Sequence, residues 1–116
     1  MLKIYGIKNC STMKKAFEQL DAQQLAYDFH DYKKQGIDLD TLGQWADQVG
    51  LEVLLNKKGT TWRKFSPEQQ AEILSSPQQT LQAMQDNPSM IKRPVLVSEQ
   101  QIVVGFDPAR YAQFTG

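Results

Sequence analysis

The chain has 116 residues, 13 Lys and Arg against 13 Asp and Glu, and a single cysteine, Cys10. That length suits one domain and is too short for two cores, while 41% hydrophobic and 22% charged residues exclude global disorder. A formal net charge of zero leaves no basic footprint for nucleic acid and no polybasic attraction to a membrane. No apolar run approaches the ~18 residues a spanning helix needs, and the N-terminus lacks a signal-peptide apolar region. One cysteine forms no internal disulfide and no cysteine zinc cluster, so no metal is expected. The expected location is the cytoplasm, and the free thiol is either an inert core residue or the working group.

Residues 2–6 alternate apolar and mixed positions and stop at Gly6, which predicts a short strand. A loop through Lys8 and Asn9 leads to Cys10. Met13, Ala16, Phe17 and Leu20 then recur at helical spacing, predicting an amphipathic helix over 12–21 with Ser11 or Thr12 as its N-cap. Tyr27 and Phe29 alternate with Asp28 and His30 in a second strand over 25–30. Leu39, Leu42, Trp45, Ala46 and Val49 describe a helix opened by Asp38 or Asp40 and stopped by Gly50.

Asn56 to Lys64 reads as a loop. Ser66-Pro67 and Ser76-Pro77 each open a helix, because serine caps and proline suits the first helical position; Asn87-Pro88 ends the second. Strands are predicted at 94–98 and 101–105, and Asp107-Pro108 starts a last helical turn through Tyr111. Trp45, Phe65 and Tyr111 are expected in the core, and His30 at an exposed strand edge. Strand, helix, strand, several helices, two strands and a helix make an α/β, thioredoxin-like arrangement. It has a mixed four-stranded sheet and a helical insertion at about 37–90, in one domain over 1–116.

Cys10 lies where a predicted strand meets the first turn of a predicted helix. There a thiolate faces unpaired N–H groups and the positive end of the helix dipole, which lowers a thiol pKa and makes the sulfur nucleophilic. Helix starts favour acids, yet this one carries Lys14 and Lys15 and no acid before Glu18. Each such charge costs about 0.3–1 kcal/mol at an exposed end. That cost is explicable if the loop holds an anion: a thiolate, a glutathione carboxylate or an oxyanion. The alternative is a small buried apolar residue beside two solvated lysines. A dithiol enzyme would place its second cysteine at Met13, and none exists, so thiol chemistry here needs an outside thiol, with glutathione the candidate.

Four segments occur in order: Ile4-Tyr5-Gly6-Ile7-Lys8-Asn9-Cys10-Ser11-Thr12-Met13-Lys14-Lys15-Ala16, then Asn56-Lys57-Lys58-Gly59-Thr60-Thr61-Trp62-Arg63-Lys64, then Ile91-Lys92-Arg93-Pro94-Val95-Leu96-Val97, then Val104-Gly105-Phe106. Across nearly the whole chain they resemble the arsenate reductase (ArsC)-like family, in its YffB/Spx branch. The resemblance implies a thioredoxin-like fold, Cys10 as nucleophile and Arg93 beside it. It also implies that Pro94 is the cis proline facing the cysteine, in keeping with a proline opening a strand.

A guanidinium there would stabilise the thiolate and could clamp a carboxylate or oxyanion. The alternative for Arg93 is a surface salt bridge. Lys8, Asn9, Ser11, Thr12, Lys14, Arg63 and Pro94 complete the expected glutathione or substrate site. For Trp62 and Arg63 the alternative is core packing and an ion pair.

The departures also carry meaning. Glutaredoxin-coupled members carry a histidine four residues before the cysteine, where this chain has Gly6. Their oxyanion-binding arginines would fall at or near Asn56, at Arg93 and near Phe106, and only Arg93 is present. The leading expectation is therefore a glutathione-dependent thiol–disulfide oxidoreductase with a single nucleophilic cysteine and no bound cofactor. Its partners would be glutathione and a disulfide or glutathionylated substrate, with glutaredoxin a further possibility, and it would act as a monomer. The alternatives are arsenate or oxyanion reduction and a non-catalytic, Spx-like module that binds RNA polymerase. Met13 breaks the cysteine pair that Spx-like sensing uses.

Overall fold

Leu2 and Ile4 point one way from an extended segment while Lys3 points the other, the period-2 pattern of a strand with one face on a core. In the computed structural model, which describes residues 2–114, this segment is β1, Leu2–Gly6. β2 is Tyr27–Asp31, β3 Val95–Val97 and β4 Ile102–Val104, in the sheet order β2-β1-β3-β4. β1 runs parallel to β2, with Tyr5 opposite His30 and Gly6 opposite Asp31. β3 is antiparallel to both β1 and β4. The helix α1, Ser11–Ala22, connects β1 to β2. A parallel pair needs such a crossover, which is why the helix separates these two strands in sequence.

The described residues fall into two compact units. One runs up to Gln35 and resumes at Arg93; the other is Gly36–Lys92. The first holds the sheet and α1, the short α2 (Tyr32–Gln35) and the last helix, Pro108–Tyr111. Its core joins Leu2, Ile4 and Leu96 of the sheet to Met13, Ala16 and Leu20 of α1, with Tyr111 and Phe114 alongside. Each large apolar side chain so buried contributes about 1.5–3 kcal/mol. The helix is thus held by its packed face, since its first turn has no acid and its last turn no base to favour it. Phe17 stacks on Tyr27 (centroids 5.6 Å) and meets Phe29 edge-on (5.2 Å), tying α1 to β2.

The second unit is helical: α3 Leu39–Val49, α4 Leu51–Leu54, α5 Thr60–Lys64, α6 Pro67–Ile73, α7 Pro77–Asp86 and a 3-10 turn at Pro88–Met90. Asp38 caps α3 by accepting from the Thr41 amide at 2.7 Å. Ser66 and Gln69 form a reciprocal capping box at α6. α5 corrects the second half of the expected loop over 56–64: residues 56–59 form a turn, and from Thr60 the chain is helical with Trp62 buried. Phe65 is only half-buried, contrary to its expected core place. Among the described residues no helix is long and apolar enough to cross a membrane.

Candidate active site

Asn9 adopts φ 61°, a left-handed conformation that asparagine tolerates better than most residues. The turn it makes delivers Cys10 in extended backbone (φ −117°, ψ 129°) as the N-cap of α1. The Cys10 carbonyl accepts the first intrahelical bond from the Lys14 amide at 3.0 Å. The expected caps, Ser11 and Thr12, are already inside the helix. The cap is therefore one residue earlier than local preference suggests, and the thiol occupies the place of a capping oxygen.

This placement has a chemical consequence. A neutral thiol is a weak acceptor and makes no capping hydrogen bond here. Burial pushes the Cys10 thiol up, the largest single influence. It is outweighed by the Met13 amide, a hydrogen bond from the Arg93 side chain, the Thr12 amide and the Arg93 charge, all of which favour the thiolate. The net pKa lies below that of an ordinary thiol. Cys10 is also part-exposed, so its sulfur is accessible as well as ionisable.

Arg93 comes from the far side of the sheet unit's sequence. The Arg93–Pro94 peptide bond is cis, and the Pro94 carbonyl accepts from the Gly105 amide at 2.8 Å just before β3 begins. The charge of Arg93 also reaches Tyr32, whose buried hydroxyl has no hydrogen-bond partner among the described residues. Burial, then Tyr5, raises the Tyr32 pKa, and Arg93 opposes them. Tyr32 stands by two other rings: its centroid is 6.3 Å from Tyr5 and 6.0 Å from His30, which lie 4.7 Å apart. His30 is half-buried in this group instead of exposed at the strand edge, because Tyr5 lies directly opposite it in the ladder.

An open groove of about 530 Å³ begins at the thiol and follows α1. Lys8, Asn9, Ser11 and Lys14 line its Cys10 end, and Phe17, Glu18 and Asp21 line the rest. Of the expected binding residues, Lys8, Asn9, Ser11, Thr12, Lys14 and Pro94 thus belong with Cys10 and Arg93 to the sheet unit. Arg63 belongs to the helical unit, exposed in α5, and Trp62 beside it is buried with Lys57 Nζ 5.9 Å from its ring centre. Trp62 is thus packed and offers no open ring for a ligand.

The three arginine-lacking or histidine-lacking positions are each filled in another way. Asn56 accepts from the Lys58 amide in its own turn (3.1 Å), and Phe106 packs edge-on against Tyr111 (centroids 5.2 Å). A side chain at Gly6 would run into Met13. Tyr32 and the acidic end of the groove were not among the expected site residues. The spacing 10, 14, 17, 18 and 21, one face of a helix, is the signal that marks the groove.

If Arg93 holds the thiolate, Arg93→Ala will shift the pH midpoint of iodoacetamide alkylation upward. Charged hydrogen bonds contribute about 1.5–3 kcal/mol, reduced here by solvent at a part-exposed thiol. We expect alkylation at neutral pH to slow by roughly fivefold to tenfold. An unchanged midpoint would remove Arg93 from this role.

A thiol at a helix start, an arginine beside it and a cis proline after that arginine now stand together with a mixed four-stranded sheet. The sequence pattern of the ArsC family matches residues 5–114. The chain belongs to the ArsC family. A structure of a protein called YFFB is 46% identical over 97% of this chain and 96% of its own, with a TM-score of 0.90. An arsenate reductase (ArsC) related protein from Brucella melitensis is 43% identical over 97% and 92%, with a TM-score of 0.75.

An uncharacterized protein from Haemophilus influenzae is 37% identical, covering 96% of both chains. The global transcriptional regulator Spx of Staphylococcus haemolyticus is 23% identical over 98% of this chain and 86% of its own. The ArsC-family fold is thus the α/β, thioredoxin-like one expected from the element order.

Proposed function

We propose that this ArsC-family chain is a thiol–disulfide oxidoreductase that uses Cys10 as its single nucleophile and glutathione as its co-thiol. The observation that supports it is the thiol in the N-cap position of α1 with Arg93 against it, a pair that favours the thiolate. The thiolate attacks one sulfur of a disulfide or glutathionylated substrate. A Cys10–substrate S–S bond forms, the original S–S bond breaks, and the other sulfur leaves as thiolate. With no second cysteine in the chain, a glutathione thiolate must attack the Cys10 mixed disulfide. That step regenerates Cys10 and releases the bound fragment as a disulfide with glutathione: oxidised glutathione when the fragment is itself glutathione, and otherwise a mixed disulfide that a second glutathione thiolate reduces. Arg93 and the exposed Lys8 and Lys14 stabilise the charges that appear on sulfur and carboxylate. No bound cofactor is called for, and the chain acts as a monomer in the reducing cytoplasm.

Oxyanion reduction is the weaker reading. Only Arg93 of the expected cations is present, and Met13 occupies the space a histidine at position 6 would need. Intact-mass measurement after mild exposure to oxidised glutathione tests the proposal. One glutathione adduct, absent from Cys10→Ser and removed by reduced glutathione, is the expected result. No adduct would overturn it and favour a binding role without catalysis.

A further inference from the structure

The groove along α1 is polar in a directional sense. Lys8 and Lys14 stand at its Cys10 end, Phe17 gives it an apolar floor, and Glu18 and Asp21 stand at the other end. Lys8, Lys14, Glu18 and Asp21 are all exposed, and Asp21 keeps its position by accepting from the Tyr27 hydroxyl at 3.4 Å. Two opposite charge pairs thus flank an aromatic ring that is itself fixed by stacking on Tyr27. Along a helix axis, Cys10 to Phe17 is about 10 Å, to Glu18 about 12 Å and to Asp21 about 16 Å. An extended peptide advances about 3.3 Å per residue. The apolar floor therefore lies about three residues from the reacting sulfur, and the acids four to five residues from it.

Glutathione does not suit the whole of this surface. Its cysteine is the middle residue of a tripeptide, so either arm spans roughly 7 Å at most, about two extended residues, and its one ammonium stops short of Glu18 and Asp21, about 12 and 16 Å along the helix from Cys10. We infer that the groove binds the protein side of the substrate: an extended segment with a glutathionylated cysteine, an apolar residue about three positions away, and Lys or Arg four to five positions away. The inference rests on the thiol-exchange reading of the same site and names its substrate class.

Cys10 thiolate attacks the glutathione sulfur, the Cys10–glutathione bond forms, and the peptide sulfur departs as thiolate along the groove. A second glutathione thiolate then releases oxidised glutathione and free Cys10. The net exchange converts one glutathione thiolate and one glutathionylated peptide into one peptide thiolate and one oxidised glutathione. Because the attacking, central and leaving sulfurs lie in line, the peptide sulfur stands beyond the glutathione sulfur from Cys10. The groove is given to the peptide by its length and its charges, and Arg93, at the thiol itself, is left for a glutathione carboxylate.

The test compares two fluorescein-labelled glutathionylated peptides that differ only in carrying lysine or glutamate at the four- and five-residue positions, each made in both chain directions. Binding is read by anisotropy with Cys10→Ser, which cannot turn over, and exchange is read by mass with the unaltered chain. We expect the lysine peptide to bind roughly fivefold tighter, the sum of two exposed ion pairs, and to exchange correspondingly faster. The preference should fade at high salt, vanish with Glu18→Gln plus Asp21→Asn, and reverse with Glu18→Lys plus Asp21→Lys.

Equal affinity for the two peptides overturns the inference, whatever the exchange assay gives. A lysine preference in binding with no exchange on any disulfide supports the groove's charge selectivity and overturns the thiol-exchange reading instead.

Discussion

Replacing Cys10 with serine will abolish thiol exchange and at the same time stabilise the fold near neutral pH. The first half follows from chemistry. In the proposed exchange the thiolate is the nucleophile, a serine hydroxyl does not ionise in this range, and no other cysteine is present to substitute. The second half follows from the cap. In the native chain a thiol, a weaker acceptor than a hydroxyl when neutral, stands where the Thr12 and Met13 amides need an oxygen, and those amides favour its ionised form. Serine is among the best N-cap residues, and a good cap contributes about 1 kcal/mol over a poor one. For a chain of this size that raises Tm by about 4 °C.

The gain depends on pH in a defined direction. The Cys10 pKa is lower in the folded chain, so its thiolate contributes stability that is present above the unfolded thiol pKa of about 8.5. That contribution is lost as pH falls through the lower folded value. Serine has no such dependence. Its advantage should be largest near pH 6 and smaller near pH 9, read as the Tm difference between the two proteins. A difference that does not change over that range would show that the fold does not favour the thiolate. On the proposed function, a native chain that retains a poor cap for the sake of its sulfur is a stability–activity trade-off confined to one atom.

Much of this site is legible in sequence because its parts are local. A lone cysteine between a strand pattern and a helical period, followed by Lys14 and Lys15, already describes a thiol at a helix start. The position of the cap is less legible. Ser11 and Thr12 have the stronger capping side chains, but the left-handed turn at Asn9 ends one residue sooner and gives the role to Cys10.

Short helices escape for a different reason. α2, α4 and α5 have four or five residues each, little more than one turn, and no period can be read over so short a span. Burial also settles side chains that composition leaves open: Trp62 is packed while Phe65 and His30 are half-buried. The groove is the intermediate case. Its residues share one helical face and so were available to inspection, but its polarity emerges only when Lys8 from the preceding loop joins that face.

Gly6→His is the substitution that tests whether this chain has room for a histidine four residues before its cysteine. A Cβ at position 6 would lie 2.6 Å from Met13 Cε and also against Met13 Sδ. Gly6 is not in the left-handed region, so the backbone would accept another residue and the obstacle is space alone. The methionine tail is flexible, which on the surface would make the clash cheap. Here Met13 is only 1% exposed and belongs to the core of the sheet unit, so its tail can move only by displacing neighbours or leaving the core.

Overpacking of this kind costs about 1–3 kcal/mol, and we expect Gly6→His to fall near 2. Met13→Ala alone will also be destabilising, by about 2–5 kcal/mol, through the cavity it leaves. Combined, the two should cost at least about 1 kcal/mol less than their sum, because the imidazole then occupies the space the thioether vacates. Urea denaturation of the four proteins measures the coupling; additive losses would mean that Met13 is not what closes position 6. The same side chain stands where a dithiol motif would have its second cysteine. One buried methionine therefore fills the place of a resolving thiol and excludes a histidine beside Cys10, which is why the proposed chemistry calls for an external thiol.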